Sequence, residues 1–273
     1  MGIINWHGVT AYTGEPWQGV SYFTTLRLPV DPEKPLAGRS RDASVLDGDE
    51  FASFNLGTHV GDDPQAVLAN RRGLEQTLPQ APTWLEQVHG VEVFDADASG
   101  NSATPPVADA VITGEPYRVL SILTADCLPV VLSDFRSAVL GVAHAGWRGL
   151  AGGVLENTLA ALQARAPAGS RWRAWIGPAI GPAAFEVGPE VRAAFVDGDG
   201  QTARFFMRGA KADKWQADLA GLAAHRLSQA GVEHVQADSP CTYERADWFY
   251  SYRRDGKTGR MATLAWLHGS DLP

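Results

Sequence analysis

The sequence predicts one α/β domain with a mixed sheet core, and three observations predict it. The middle of the chain holds three apolar, β-branched runs, VADAVIT, YRVLSILTADCLPVVLSD and AVLGVAHAG. Their near-continuity suits strands buried on both faces. Helical patterns alternate with the strand-like runs, in a chain with more strands than a simple doubly wound fold needs. No internal repeat, low-complexity stretch or linker divides the 273 residues. A single domain spanning 1–273, with a sizeable core, is therefore expected.

The elements follow in order. Residues 29 to 50 are rich in Pro, Gly and charge and read as an exposed loop. FASFNLGTHVGDDP reads as a short strand and a turn. Residues 64 to 78 carry Val67, Leu68, Leu74 and Leu78 near helical spacing, with Asp63 as N-cap and Pro64 at the first helical position. PTWLEQVHGVEVFDAD reads as two strands meeting at His89-Gly90. After the three apolar runs, GLAGGVLENTLAALQARAP is a helix closed by Pro167. RWRAWIGPAIG is a strand entering a Gly-Pro loop, and PEVRAAFV a short helix. WQADLAGLAAHRLSQAG is a helix with Leu219, Leu222, Ala223 and Leu227 on one face and Gly231 as its stop. DWFYSYRRDGKTGRMATLAWL reads as a strand, a turn on Asp255-Gly256 and a strand.

Composition excludes several functions. Apolar content of 45% and charged content of 20% are ordinary for a globular protein. The net charge of −8 argues against a nucleic-acid or anionic-membrane binder, whose affinity rests on Lys and Arg. MGIINWHGVT has neither the basic nor the apolar region of a signal peptide, and no apolar run approaches a membrane span. Two cysteines are too few for a disulfide framework. The expectation is a reduced, cytoplasmic enzyme without nucleic-acid or membrane partners.

Three residues stand out: His89 in EQVHG, Cys127 in TADC and His144 in AHAGWRG. Each follows a strand-like run beside Gly or Pro, where α/β folds place chemistry. Two imidazoles and a thiolate make a three-ligand set with an open position, the catalytic arrangement for zinc. Such a metal lowers the pKa of bound water toward neutrality. Their spacing is no compact metal motif, and two other readings stay open. One is a buried thiol with hydrogen-bonded turn histidines. The other is a Cys127–His144 nucleophilic dyad. Asp126 serves as an orienting carboxylate, a general acid/base, or a structural turn residue.

Further polar groups accompany these. GWRGLAGGVLENT leads from a Gly-rich loop into a helix, so Arg148 and the helix N-terminus are candidates for a phosphate or carboxylate. Asn55, His59 and Arg71 form a second group, in FNLGTHVGD and NRRGL. Phe185, in the Gly/Pro-rich IGPAIGPAAFEVG, is placed to stack on a flat ring or to complete a structural turn. The four basic residues of SYRRDGKTGRMA read mostly as solvated, and His225 as exposed on a polar helix face.

FNLGTHVGD, NRRGL, WLEQVHG, ADAVIT, LTADCLPVVL, AHAGWRGL, IGPAIGPAAFEVG, CTY and FYSYRRDGKTGRMATL, in this order, closely resemble the YfiH family. That family has been labelled polyphenol oxidase or laccase-domain protein. It is now described as purine nucleoside phosphorylases with adenosine deaminase and methylthioadenosine phosphorylase activity. The resemblance implies a fold of layered mixed β-sheets flanked by helices, related to the catalytic domain of a cytotoxic necrotizing toxin. It implies His89, Cys127 and His144 as ligands of one zinc, and a purine nucleoside and phosphate as substrates, with Arg148 and Arg71 as candidates to hold the phosphate. Editing of muramyl peptidoglycan precursors by amide cleavage is a further family function. A non-enzymatic metal-binding or partner-binding module is the remaining alternative. The chain departs from the family at Ala183 and Ala184, where many members carry cysteine. Copper can occupy such a site in vitro. Seven histidines without a His-x-His pair do not build a multicopper centre, so oxidase activity is not the expected role.

Overall fold

The structure, a computed structural model, describes residues 2–28, 50, 51, 53–98 and 104–269. The expected loop over 29 to 50 lies, except for Glu50, outside the described residues.

Three strands open the chain, β1 (Gly2–Trp6), β2 (Val9–Thr13) and β3 (Val20–Thr25). Helix α1 (Pro64–Glu75) follows, then β4 (Val93–Asp95), β5 (Ala110–Thr113), β6 (Leu120–Thr124), β7 (Leu128–Asp134) and β8 (Leu140–Ala145). Helices α2 (Trp147–Gly152) and α3 (Val154–Gln163) lead to β9 (Trp172–Ile176), β10 (Glu186–Val187) and α4 (Pro189–Val196). The rest comprises β11 (Phe206–Arg208), β12 (Trp215–Ala217), α5 (Leu219–Gln229), β13 (Val232–Gln236), α6 (Tyr252–Asp255) and β14 (Met261–Leu267).

Two large sheets form the centre. One is antiparallel, in the order β1-β2-β3-β14-β6. The other is mixed, in the order β13-β9-β7-β8-β5-β4, with its parallel pairs at the two edges. A small sheet, β10-β12-β11, lies apart.

Alternation along β7 shows how the layers arise. Val130 and Leu132 join the cluster built with Leu155, Leu159 and Leu222 of α3 and α5. Val131, between them, joins Tyr22, Ile122 and Trp175 in the cluster between the two sheets. A strand covered on both faces needs apolar residues at consecutive positions, which is why these runs are continuous. Each fully buried aliphatic side chain contributes about 1.5–3 kcal/mol. Leu74 of α1 packs with Phe23, Leu264 and Trp266 on the outer face of the first sheet. The order of layers is α1, antiparallel sheet, mixed sheet, then α3 and α5.

Several local expectations change. No strand forms at Phe51 or over residues 53–57, where polar groups are taken up by Arg27, Asn55, Asp62 and Arg260 rather than by a strand partner. Of the two strands expected around His89-Gly90 only β4 forms, while Thr83 and Glu86 make isolated bridges. YRVLSILTADCLPVVLSD is two strands in different sheets, the chain crossing between them at Ala125, Asp126 and Cys127. The helix after AHAG breaks at Gly153, whose φ of 100° is left-handed. The final hairpin is absent. Residues Tyr252–Asp255 form a helical turn capped by Ser251, and β14 inserts between β3 and β6. His225 is buried, held by Asp199 (2.7 Å) and Arg204 (3.1 Å), so the helix face taken as solvated is covered.

Candidate metal centre and its cavity

Strand register brings the centre together. In the β7–β8 ladder Leu128 pairs with Ala145 and Pro129 with His144, so Cys127 lies just beyond the last pair, next to His144. In the β5–β8 ladder Ala110 pairs with Ala143, which sets Asp109 beside His144. His144 N donates to Asp109 O at 2.7 Å, and its Nδ1 lies 2.8 Å from Asp109 Oδ1. With Nδ1 donating to the carboxylate, Nε2 is left toward Cys127.

His89 arrives on a turn held by the same carboxylate. Asp109 accepts from the backbone amides of Val88 (3.2 Å), His89 (3.0 Å) and Gly90 (2.6 Å). His89 itself takes a left-handed φ of 60°, a conformation that persists only where its surroundings fix it. Its Nε2 lies 3.9 Å from Cys127 Sγ. One ligand atom from each of His89, Cys127 and His144 lies within 4.8 Å of the others, the one such group found among the described residues.

The donor set fits a metal. One thiolate and two imidazoles suit zinc and would leave it an open position, and all three residues line one cavity. The Asp109–His144 bond is the outer partner that ligating histidines have, fixing tautomer and ring orientation. The same geometry also orders a thiol, an imidazole and a carboxylate as a nucleophilic triad would.

Glycines let the groups approach. A Cβ on Gly146 would lie 2.8 Å from His89 Cδ2 and 3.1 Å from Cys127 Sγ. A Cβ on Gly149 would meet the Gly90 carbonyl at 2.7 Å, so α2 packs directly on the His89 turn. The AHAGWRG segment is thus small because two backbones and a ligand ring share its space. Gly146→Ala is expected to lower metal affinity about 10- to 100-fold, like loss of an outer-sphere partner. Chelator competition measures it, and wild-type affinity would show that the rings have room to move.

Charge favours an ionised pair in the metal-free protein. Burial works to raise the Cys127 thiol, but the His144 and His89 imidazoles bring it from 9.0 down to about 6. Burial works to lower His144, but Cys127 and Asp109 raise it from 6.5 to about 9. Asp109 is held below the ordinary carboxylate value, its burial outweighed by His144 and the Gly90 and Val88 amides. The thiolate's stabilising contribution is lost as pH falls through about 6, and that of the imidazolium as pH rises through about 9. Iodoacetamide alkylation of Cys127 in chelated protein should therefore titrate near 6. A midpoint near 9 would mean that the imidazoles do not stabilise the thiolate.

The centre opens into a cavity of about 390 Å³. Around it stand His59, Gln87, Phe185, Tyr252, Arg253 and Arg260. Phe185 is almost fully buried, with the Arg253 guanidinium 5.3 Å from its ring centroid. Tyr252 is 61% exposed at the cavity wall. The hydroxyl of Thr124, also lining the cavity, is buried and has no hydrogen-bond partner among the described residues.

Other expected site residues lie elsewhere or have their side chains engaged in structural bonds. Arg148 is exposed and stacks 4.4 Å over the Trp147 ring, outside the cavity lining. Arg71 donates to the Leu56 carbonyl at 2.9 Å and lies 4.0 Å over Trp84, which holds it at α1. Asn55 is fully buried and spends its side chain on Asp62, Gly57 and Arg260. Asp126 lines the cavity, but both carboxylate oxygens are engaged, by Thr242 Oγ1 (2.6 Å) and the Arg253 amide (2.7 Å). Its carbonyl accepts from Ile180 N at 2.9 Å, and these bonds hold it at a φ of 94°. Asp126 therefore ties cavity segments together, and the carboxylate that orients an imidazole is Asp109. Asp109 was missed because an aspartate opening an apolar run reads as a turn residue. Its one signal was its place at the start of AVIT.

A mixed α/β frame carrying Cys127 and His144 at adjoining strand ends and His89 on a turn beside them defines the class of protein. The chain belongs to the family described as multi-copper polyphenol oxidoreductase laccase, which matches residues 38–268, and groups with the YfiH proteins. It is 46% identical over 217 residues to a purine nucleoside phosphorylase of Pseudomonas aeruginosa, covering 80% of this chain and 87% of the relative. It is 44% identical over 219 residues to the purine nucleoside phosphorylase YfiH of Escherichia coli strain K12, with the same coverage. The crystal structure of a Neisseria meningitidis DUF152 protein superposes with a TM-score of 0.80 at 38% identity, covering 96% of this chain and all of that one. No helix among the described residues is long and apolar enough to cross a membrane.

Proposed function

We propose that this protein is a purine nucleoside phosphorylase acting at the His89–Cys127–His144 centre. The observation that carries the reading is an open three-donor centre facing a cavity large enough for a small ligand and walled by Phe185 and Tyr252. The names of the relatives, at 44–46% identity, support the same class.

In phosphorolysis a phosphate oxygen bonds to C1′ of the ribose as the C1′–N9 bond breaks. The electron pair goes to the purine, which leaves with a proton, giving ribose 1-phosphate and free base. A divalent metal, zinc by donor type, held by His89, Cys127 and His144 would supply Lewis-acid stabilisation of oxygen-centred charge. Copper competes for the same donors in vitro. Asp109 fixes His144 and the His89 turn. Phe185 and Tyr252 offer aromatic surface to the base.

The test incubates metal-loaded protein with adenosine, inosine or methylthioadenosine and phosphate. Ribose 1-phosphate (or its methylthio counterpart) forming only with phosphate supports the reading. Ammonia from adenosine in the same assay reports a separate deaminase activity. A second reading rests on the Cys127–His144–Asp109 order: a thiolate nucleophile cleaving an amide, with muramyl precursors as substrates. Amide cleavage by chelated protein, without nucleoside turnover, would establish that reading instead.

A further inference from the structure

The cavity holds two arginines, each hydrogen-bonded through Nη1; Arg253 is exposed and Arg260 is half-buried. Arg253 donates to the Glu186 carbonyl at 2.8 Å and lies along Phe185. Arg260 uses only Nη1, on the carbonyls of Thr258 (2.8 Å) and Gly259 (3.0 Å). Its Nε and Nη2 have no acceptor among the described residues, and it makes no ion pair with a described carboxylate. Cys127 and Asp126 act on it only through space, and a half-buried guanidinium without a direct ion pair is costly unless a ligand completes it.

The surrounding sequence is shaped to seat this residue. Arg260 N donates to Asn55 Oδ1 at 2.8 Å, and Leu56 N donates back to the Arg260 carbonyl at 3.2 Å. Asn55 is itself fixed by Asp62 at 2.8 Å. A Cβ on Gly57 would lie 2.8 Å from Arg260 Cγ, so the glycine makes room for the arginine stem. FNLG thus binds Arg260. His59, two residues past Gly57, lines the same cavity.

We propose that Arg260 holds the inorganic phosphate of the reaction, its free guanidinium edge binding two phosphate oxygens beside the His89–Cys127–His144 centre. The assignment rests on the phosphorolysis reading and replaces Arg148 and Arg71 as phosphate holders. Arginine suits the role because its planar fork matches two oxygens at once.

The experiment titrates inorganic phosphate into metal-loaded protein by calorimetry, with metal content and thermal midpoint measured for each variant. Phosphate KM and kcat are taken from the nucleoside assay. Arg260→Gln should weaken phosphate binding about 10- to 100-fold and raise the phosphate KM in proportion, leaving nucleoside binding near wild type. Arg260→Lys keeps the charge without the fork and should fall between. Gly57→Ala, which displaces the arginine, should reproduce the loss, and Arg148→Gln should change nothing. Wild-type phosphate affinity in a folded, metal-loaded Arg260→Gln protein overturns the proposal, as does absence of phosphate binding by the wild type. Phosphorolysis with an unchanged phosphate KM in Arg260→Gln sinks this assignment and leaves the enzyme reading intact. Arg260-dependent phosphate binding without nucleoside turnover does the reverse.

Discussion

A Cys127→Ala protein is expected to lose its bound metal and its phosphorolysis together. Cys127 is the one thiolate among the three donors, and its charge would offset half that of a divalent ion held there. Losing a direct ligand should cost more than the ~10–100-fold typical of an outer partner. The fold should persist, because the crossover at 125–127 is held by the Asp126 carboxylate and carbonyl rather than by the thiol. Metal analysis and the nucleoside assay on the same preparation decide it. Full metal content with no activity would make Cys127 a nucleophile. Full activity would place the chemistry elsewhere.

Asp109 is expected to produce the largest combined effect on stability and metal affinity. Its carboxylate is fully buried and serves three amides and the His144 ring. Asp109→Ala leaves those donors without an acceptor and leaves buried His144⁺ with Cys127 alone as its counter-charge, at a cost of about 3–5 kcal/mol. Asp109→Asn keeps the size and removes the charge, and should lower metal affinity about 10- to 100-fold. Chemical denaturation of the metal-free proteins separates the two effects. An Asp109→Asn protein with wild-type metal affinity would show that the carboxylate is structural only.

What could be read from sequence follows physical lines. Continuous apolar runs mark strands buried on both faces, so β5 to β8 were legible, and Asp63-Pro64 marked the start of α1. The change of sheet at Thr124–Leu128 was not, because both sides of the break are equally apolar. Cys127 and His144 were legible as lone polar groups ending apolar runs. Asp109 and Arg260 were not, because an Asp at a turn and an Arg near Lys and Gly usually face water. Only the strand register and the Asn55 seat give them their surroundings. Arg148 misled for the complementary reason: a Gly-rich loop before a helix resembles an anion site, yet here the glycines admit His89 and the Gly90 carbonyl.

The insertion of β14 between β3 and β6 has a consequence for synthesis. Thr263 pairs with Thr24 on one side and Ile122 on the other, so both partner strands exist long before the strand that joins them. Until residues 261–267 leave the ribosome, β3 and β6 each present an unpaired edge of the kind that recruits other chains. Arg260 immediately precedes that strand. The event that seals the nascent sheet against aggregation is therefore the same event that delivers the cavity's open cation.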